Sequence, residues 1–185
     1  ADVDRAKDQG LQKISDVPAV PTTKLNAIAA VDQAATDKKA VINNDTTLTQ
    51  EEKEAAIRKV DEEAAKARQA INDATSNADV AAKQAQGTQA INNVPQTPAA
   101  KNAAKAAVEQ AADAKKQAIE NDPNLTRQEK DAAIAKVDQE TNKARQAIDA
   151  ATTNADVTAK QNEGTQAINA VPQTPKAKTD AKNAV

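Results

Sequence analysis

Between residues 57 and 74 the apolar positions fall at Ile57, Val60, Ala64, Ala67, Ile71 and Ala74, with charged and amide side chains filling the gaps. This 3-4 spacing predicts an amphipathic helix whose stripe packs in a left-handed, coiled-coil-like way. The same spacing returns at Ile134, Val137, Thr141, Ala144, Ile148 and Ala151. A helix start stands ahead of each stripe, at Thr49-Gln50-Glu51-Glu52 and Thr126-Arg127-Gln128-Glu129. Both fit the capping box, in which Thr caps the amide three residues on and Glu reaches back to the cap amide. Glu54 to Arg58 and Glu62 to Lys66 are i,i+4 pairs in the favourable order.

Two further segments complete the pattern. From about Asp79 to Val94, the positions Val80, Gly87, Ile91 and Val94 recur at helical spacing, and Pro95 ends the segment. Thr97-Pro98 then reads as an N-cap followed by a proline at the first helical position. That helix runs to about Asn121 with Ala104, Val108, Ala111, Ala118 and Ile119 on one side, and Asp122-Pro123-Asn124 turns the chain.

The whole pattern repeats. Residues 78–108 return at 155–185 with 23 of 31 positions unchanged, and a more diverged copy opens the chain at Ala1. Gly10, Gly87 and Gly164 fall in register, and so do Pro18, Pro95 and Pro172. The offset is about 77 residues each time, and a fixed long period marks a repeat array. The frame read from it is repeat 1 at 1–77, repeat 2 at 78–154 and a partial repeat 3 at 155–185. Three helices per repeat joined by short turns predict an all-α fold of tandem up-down-up three-helix bundles.

The junction between repeats, Ala74-Thr75-Ser76-Asn77-Ala78-Asp79, has neither Gly nor Pro. Asn77 and Asn154 could cap separate helices, with Asp79 and Asp156 in the first turn. The stripe also changes phase here, as it would if one helix handed its seam to the next bundle. The favoured expectation is a continuous or barely broken helix, joining the bundles end to end into a rod of roughly 80–110 Å.

Composition narrows the chemistry. No Cys, His, Met, Trp, Tyr or Phe occurs in 185 residues, which removes thiol and imidazole nucleophiles, soft-metal ligands and disulfides. The net charge is −2 with both signs interspersed, so nothing points to nucleic acid or a polybasic membrane patch. No apolar run approaches the length of a membrane span. Leu, Ile and Val make up only about 15% of the chain, and alanine, the strongest helix former, fills the deficit. The second repeat has nine large aliphatics, Val80, Ile91, Val94, Val108, Ile119, Leu125, Ile134, Val137 and Ile148. Alanine seams must therefore let the backbones approach closely.

Each candidate site has a structural reading that outweighs the functional one. Gly87 and Gly164 inside helices point to close helix approach. Asp45, Asp122 and Asn124 gather acceptors in turns but lack the spaced carboxylates and glycine of a calcium loop. Glu129, Asp131, Asp138 and Glu140 have no partner base and read as a solvated face. Interface hot spots favour Trp, Tyr and Arg, and here the arginines are only Arg5, Arg58, Arg68, Arg127 and Arg145. No catalytic, cofactor or metal residues are assigned, and an enzyme is not expected.

The segments TSNADV and TTNADV, the mid-helix glycine, AIN-x-V, and a capped helix of the form T-x-x-E-K-x-A-A-I-x-K-V resemble the helical tandem repeats of giant Gram-positive cell-wall-anchored proteins. Those are the repeats of unknown function in staphylococcal matrix-binding-protein homologues and biofilm-associated surface proteins. The resemblance covers nearly the whole chain. It implies an extracellular, wall-attached setting and a part in adhesion, with no catalytic residues to carry over. The expected function is a stalk that projects an adhesive region. The alternative is a direct adhesin, binding a host matrix protein or another cell's surface by weak multivalent contacts. The fragment itself is expected to be monomeric, with neighbouring repeats as its partners.

Overall fold

A computed structural model describes residues 2–15 and 19–183, so the expected turn at Pro18 lies outside the described residues. These residues form eight helices and no strand: α1 (Asp2–Ser15), α2 (Val20–Asn44), α3 (Gln50–Asp73), α4 (Asn77–Asn92), α5 (Ala99–Glu120), α6 (Arg127–Ala150), α7 (Asn154–Asn169) and α8 (Lys176–Asn183). The fold is all-α and built of tandem repeats. Two compact units emerge, one of residues 1–45 and 54–96, the other of residues 46–53 and 97–185.

In the first unit α2, α3 and α4 run up, down and up. Ion pairs Lys39–Asp61 and Arg68–Asp32 set α2 against α3 in antiparallel register. Val31, Ile42, Val60, Ile71, Val80 and Ile91 are fully buried, with Ala27, Ala64 and Ala67 between them. The second unit repeats this with α5, α6 and α7. Lys116–Asp138 and Arg145–Glu109 are its ion pairs, and Val108, Ile119, Val137, Ile148 and Ile168 its closed core.

The continuous or barely broken helix expected at Asn77 and Asn154 is absent. Positions 74–76 and 151–153 leave helical conformation at the two junctions. Ser76 (φ −137°, ψ 159°) and Thr153 (φ −125°, ψ 159°) are extended and accept hydrogen bonds from the Asp79 and Asp156 amides. The caps therefore stand one position before the asparagines. Packing is the reason for the break. A β-carbon placed on Gly87 would lie 2.3 Å from Ala67 Cβ and 3.8 Å from Val31 Cγ2, and one on Gly164 2.4 Å from Ala144 Cβ and 3.7 Å from Val108 Cγ2. In one straight helix Ala67 and Gly87 would stand roughly 30 Å apart. Instead α4 folds back on α3, and α7 on α6, and the glycines admit that approach.

The frame drawn from the sequence, opening at Ala1, Ala78 and Ala155, therefore differs in phase from the compact units. Each of α4 and α7 packs with the two helices before it. Smaller departures have local causes. Ala118 is exposed, and Ala112 takes its place in the seam. Lys66 meets Glu63 at 2.8 Å, one helical turn back, in place of the expected Glu62. That bond, chiefly, holds the Glu63 carboxyl below its ordinary range.

Candidate functional site

The densest polar cluster sits in the second unit, where the turn and first helical residues 46–53 meet the start of α5 and the turn between α6 and α7. Residue chemistry explains each piece. The capping box forms as expected: Thr49 N donates to Glu52 Oε2 at 3.0 Å, and Glu52 N donates to Thr49 Oγ1 at 3.3 Å. The other oxygen of Glu52 is then free to act at a distance. Oε1 accepts from the amide of Ala100 at 2.8 Å. Pro98 stands at the N-cap of α5 and makes no side-chain cap bond, so Thr97 is not the cap that its sequence suggested. A carboxylate from the start of α3 supplies the acceptor that helix starts require.

Thr49 is fully buried, and its hydroxyl donates to Asn154 Oδ1 at 2.7 Å. Glu51 Oε2 accepts from the Asn154 amide at 3.0 Å, and Gln50 N donates to Thr152 O at 2.8 Å. Side chains and backbone of the α3 start thus clasp the α6–α7 turn.

Lys101 is the second centre. Only 3% of it is exposed. Its ammonium donates to Asp149 O at 2.7 Å and Thr46 O at 3.2 Å. Asp149 lies in the last turn of α6, where unpaired carbonyls and the helix dipole favour a cation. The Asp149 carboxylate meets Lys105 at 2.8 Å. These bonds recur one repeat away. Lys24 donates to Asn72 O at 2.7 Å and Lys178 to Pro123 O at 2.5 Å. Lys38 and Lys115 donate to Asn92 O and Asn169 O, each at 3.0 Å. Lysine-to-carbonyl closure of helix ends is a repeated device. Residue spacing alone did not reveal it, because each bond joins segments far apart along the chain.

Substituting Lys101 by methionine keeps the apolar stem and removes the charge. The carbonyls of Thr46 and Asp149 then lose a charged donor, and the second unit is expected to lose about 1–3 kcal/mol, read as a lower urea midpoint by circular dichroism. Lys24→Met, at a half-buried position, will cost less.

The remaining sequence candidates are dispersed. Asp122 accepts from the Asn124 amide at 2.9 Å, a closed Asx turn. Asp131 pairs with Arg127, Asp138 with Lys116 and Glu140 with Lys143. Among the described residues no group of three or more carboxylates is placed to hold a metal ion, and no helix is long and apolar enough to cross a membrane. Glu129 closes the second capping box and accepts from the Ala177 amide at 2.8 Å. The Ala177 bond first, and the Thr126 bond next, hold its carboxyl below the ordinary value of 4.5. A depressed carboxyl stabilises above its ordinary value, and that stabilisation is lost as pH falls through the lower, folded one. Acidification below pH 4.5 is therefore expected to weaken the hold on the start of α8, seen as a lower protection factor of the Ala177 amide, its exchange being compared with the intrinsic rate at the same pH. In Glu129→Gln this acid dependence of the protection factor should be lost.

The long periodicity has a counterpart among known proteins. The profile of the Domain of Unknown Function DUF1542 matches residues 23–99 and again residues 100–176. The chain belongs to the DUF1542 family. Its two matched segments adjoin and are equal in length, and that length is the interval at which the lysine bonds recur. The chain is 26% identical over 183 residues to the extracellular matrix-binding protein ebh of Staphylococcus aureus strain MRSA252, covering 99% of this chain and 2% of that protein. It is 28% identical over 183 residues to ebh of strain USA300, covering 98% of this chain and 2% of that protein. EbhA of strain N315 is 27% identical over 181 residues, covering 98% and 3%. The chain thus spans a few hundredths of the length of these relatives. No solved structure matches.

Proposed function

We propose that these DUF1542 repeats serve as spacer modules of a bacterial surface adhesin, setting an adhesive region at a distance from the cell wall. The observation that carries this reading is the recurrence of the same lysine-to-carbonyl bonds at the repeat interval. The conspicuous cations of each unit are engaged in closing that unit's own helix ends. Side chains used this way maintain a shape and are not held ready for a ligand. The relatives' names connect them with the extracellular matrix, which supports a surface setting for the array to which such repeats contribute.

The direct test is solid-phase binding of this chain to purified matrix proteins under conditions where it is monomeric. The spacer reading expects no saturable binding at micromolar concentration. Saturable binding at or below that range would replace it with the direct-adhesin reading. Small-angle scattering supplies a second check. A maximum dimension near that of a compact globule of the same mass would be incompatible with a spacer.

A further inference from the structure

The glycine-bearing stripe occurs three times and is covered twice. In α4, Val80 and Ile91 are fully buried, and Val94 just beyond its end is 5% exposed. In α7, Val157 and Ile168 are 3% and 0% exposed, and Val171 just beyond its end is 5% exposed. In α1 the first two of these positions are bare: Val3 is 81% exposed and Ile14 72%, and Leu11 adds a further 54%. A β-carbon built on Gly10 meets nothing within 4 Å, whereas those on Gly87 and Gly164 meet an alanine and a valine of two packed helices. A helix as short as α1, with this stripe exposed, is marginal in water.

We propose that α1 is a docking helix for one kind of partner, an antiparallel helical hairpin of the α5–α6 type. The fit follows from the occupied copies. The partner must carry alanine where Ala144 meets Gly164 and valine where Val108 flanks it. It must also carry a lysine where Lys115 stands, because Lys115 donates to Asn169 O at the end of α7. The equivalent carbonyl on α1 belongs to Ser15, its last residue. The hairpins within this chain are taken: α4 covers α2–α3 and α7 covers α5–α6. The occupant is therefore a further hairpin and not a second copy of the chain. The inference rests on seam geometry and holds for a spacer and for a binding array alike.

The test extends the full chain. A second copy of residues 97–154 is placed ahead of Ala1, so that an asparagine precedes Ala1 as Asn154 precedes Ala155. Amide exchange is then followed from Gln9 to Ser15. Docking predicts that exchange slows at least about tenfold relative to the unextended chain. Gly10→Leu should abolish that protection in the extended chain, yet leave the helicity of the unextended chain unchanged or higher. Unchanged exchange in α1 would overturn the proposal, and so would an added hairpin whose own amides stay unprotected. Light scattering gives a third decision. If the unextended chain dimerises at micromolar concentration and protects α1, the occupant is a second copy and the proposal fails.

Discussion

Replacing Ile148 with alanine will remove much of the second unit's stability, a loss of about 2–5 kcal/mol. Ile148 is fully buried in α6, and no aromatic or methionine occurs anywhere in the chain to fill the void. The core around it is mostly alanine and valine, with Ile119, Leu125 and Ile168 as the other large members. Small side chains on rigid helices collapse poorly into a cavity. The loss compares with the total stability of an ordinary domain, about 5–15 kcal/mol. Far-UV circular dichroism in urea is the suitable probe, because the chain has no tryptophan or tyrosine to fluoresce. Ile134→Ala, in the half-buried part of the same helix, is the internal comparison and should cost clearly less. Equal losses at the two positions would contradict the core described here.

Gly164→Leu will be of comparable severity, about 3 kcal/mol, although it replaces a poor helix former with a good one. In an exposed helix that change would gain about 1 kcal/mol. Here the first added carbon already falls 2.4 Å from Ala144 Cβ, and three more must follow. Gly164→Ala isolates the contact, since overpacking opposes the propensity gain. Combining it with Ala144→Gly reopens the space, and the pair should show a favourable coupling of about 1 kcal/mol or more in a double-mutant cycle. Additive single effects would mean that the two helices do not meet where Gly164 and Ala144 place them. At Gly10, where nothing lies within 4 Å, alanine should raise helicity in the unextended chain.

These two sites also mark what the sequence made legible. The helices, their capping boxes and the 3-4 stripes follow from local rules, and Thr126 with Glu129 forms both bonds of the box. The glycines were readable as points of close approach because a glycine within a helix has a cost that packing can offset. The turn at Ser76 was not readable from the same rules. Ala74-Thr75-Ser76 carries no Gly or Pro, and what breaks the helix there is a contact between Gly87 and Ala67, several turns apart along the chain. The change in stripe phase was visible, but it fitted a hairpin as well as a continuous helix. The second oxygen of Glu52 and the ammonium of Lys101 escaped for a related reason. Both act on backbone atoms, and backbone atoms leave no trace in a sequence.

An odd number of helices has a consequence under load. In the first unit α2 and α4 run the same way, and the chain enters at one end of the bundle and leaves at the other. Tension applied through entry and exit would pull α2 and α4 past each other along their length. Such a pull strains the Lys38 bonds to Asn92 O and Gln96 Oε1 together with the whole valine–alanine–glycine seam, and does not open the unit one turn at a time. A repeat that finally yields, such as residues 23–99, releases roughly 250 Å of extended chain. Each module would then act as a fuse in series, taking up a sudden tug without breaking the polypeptide.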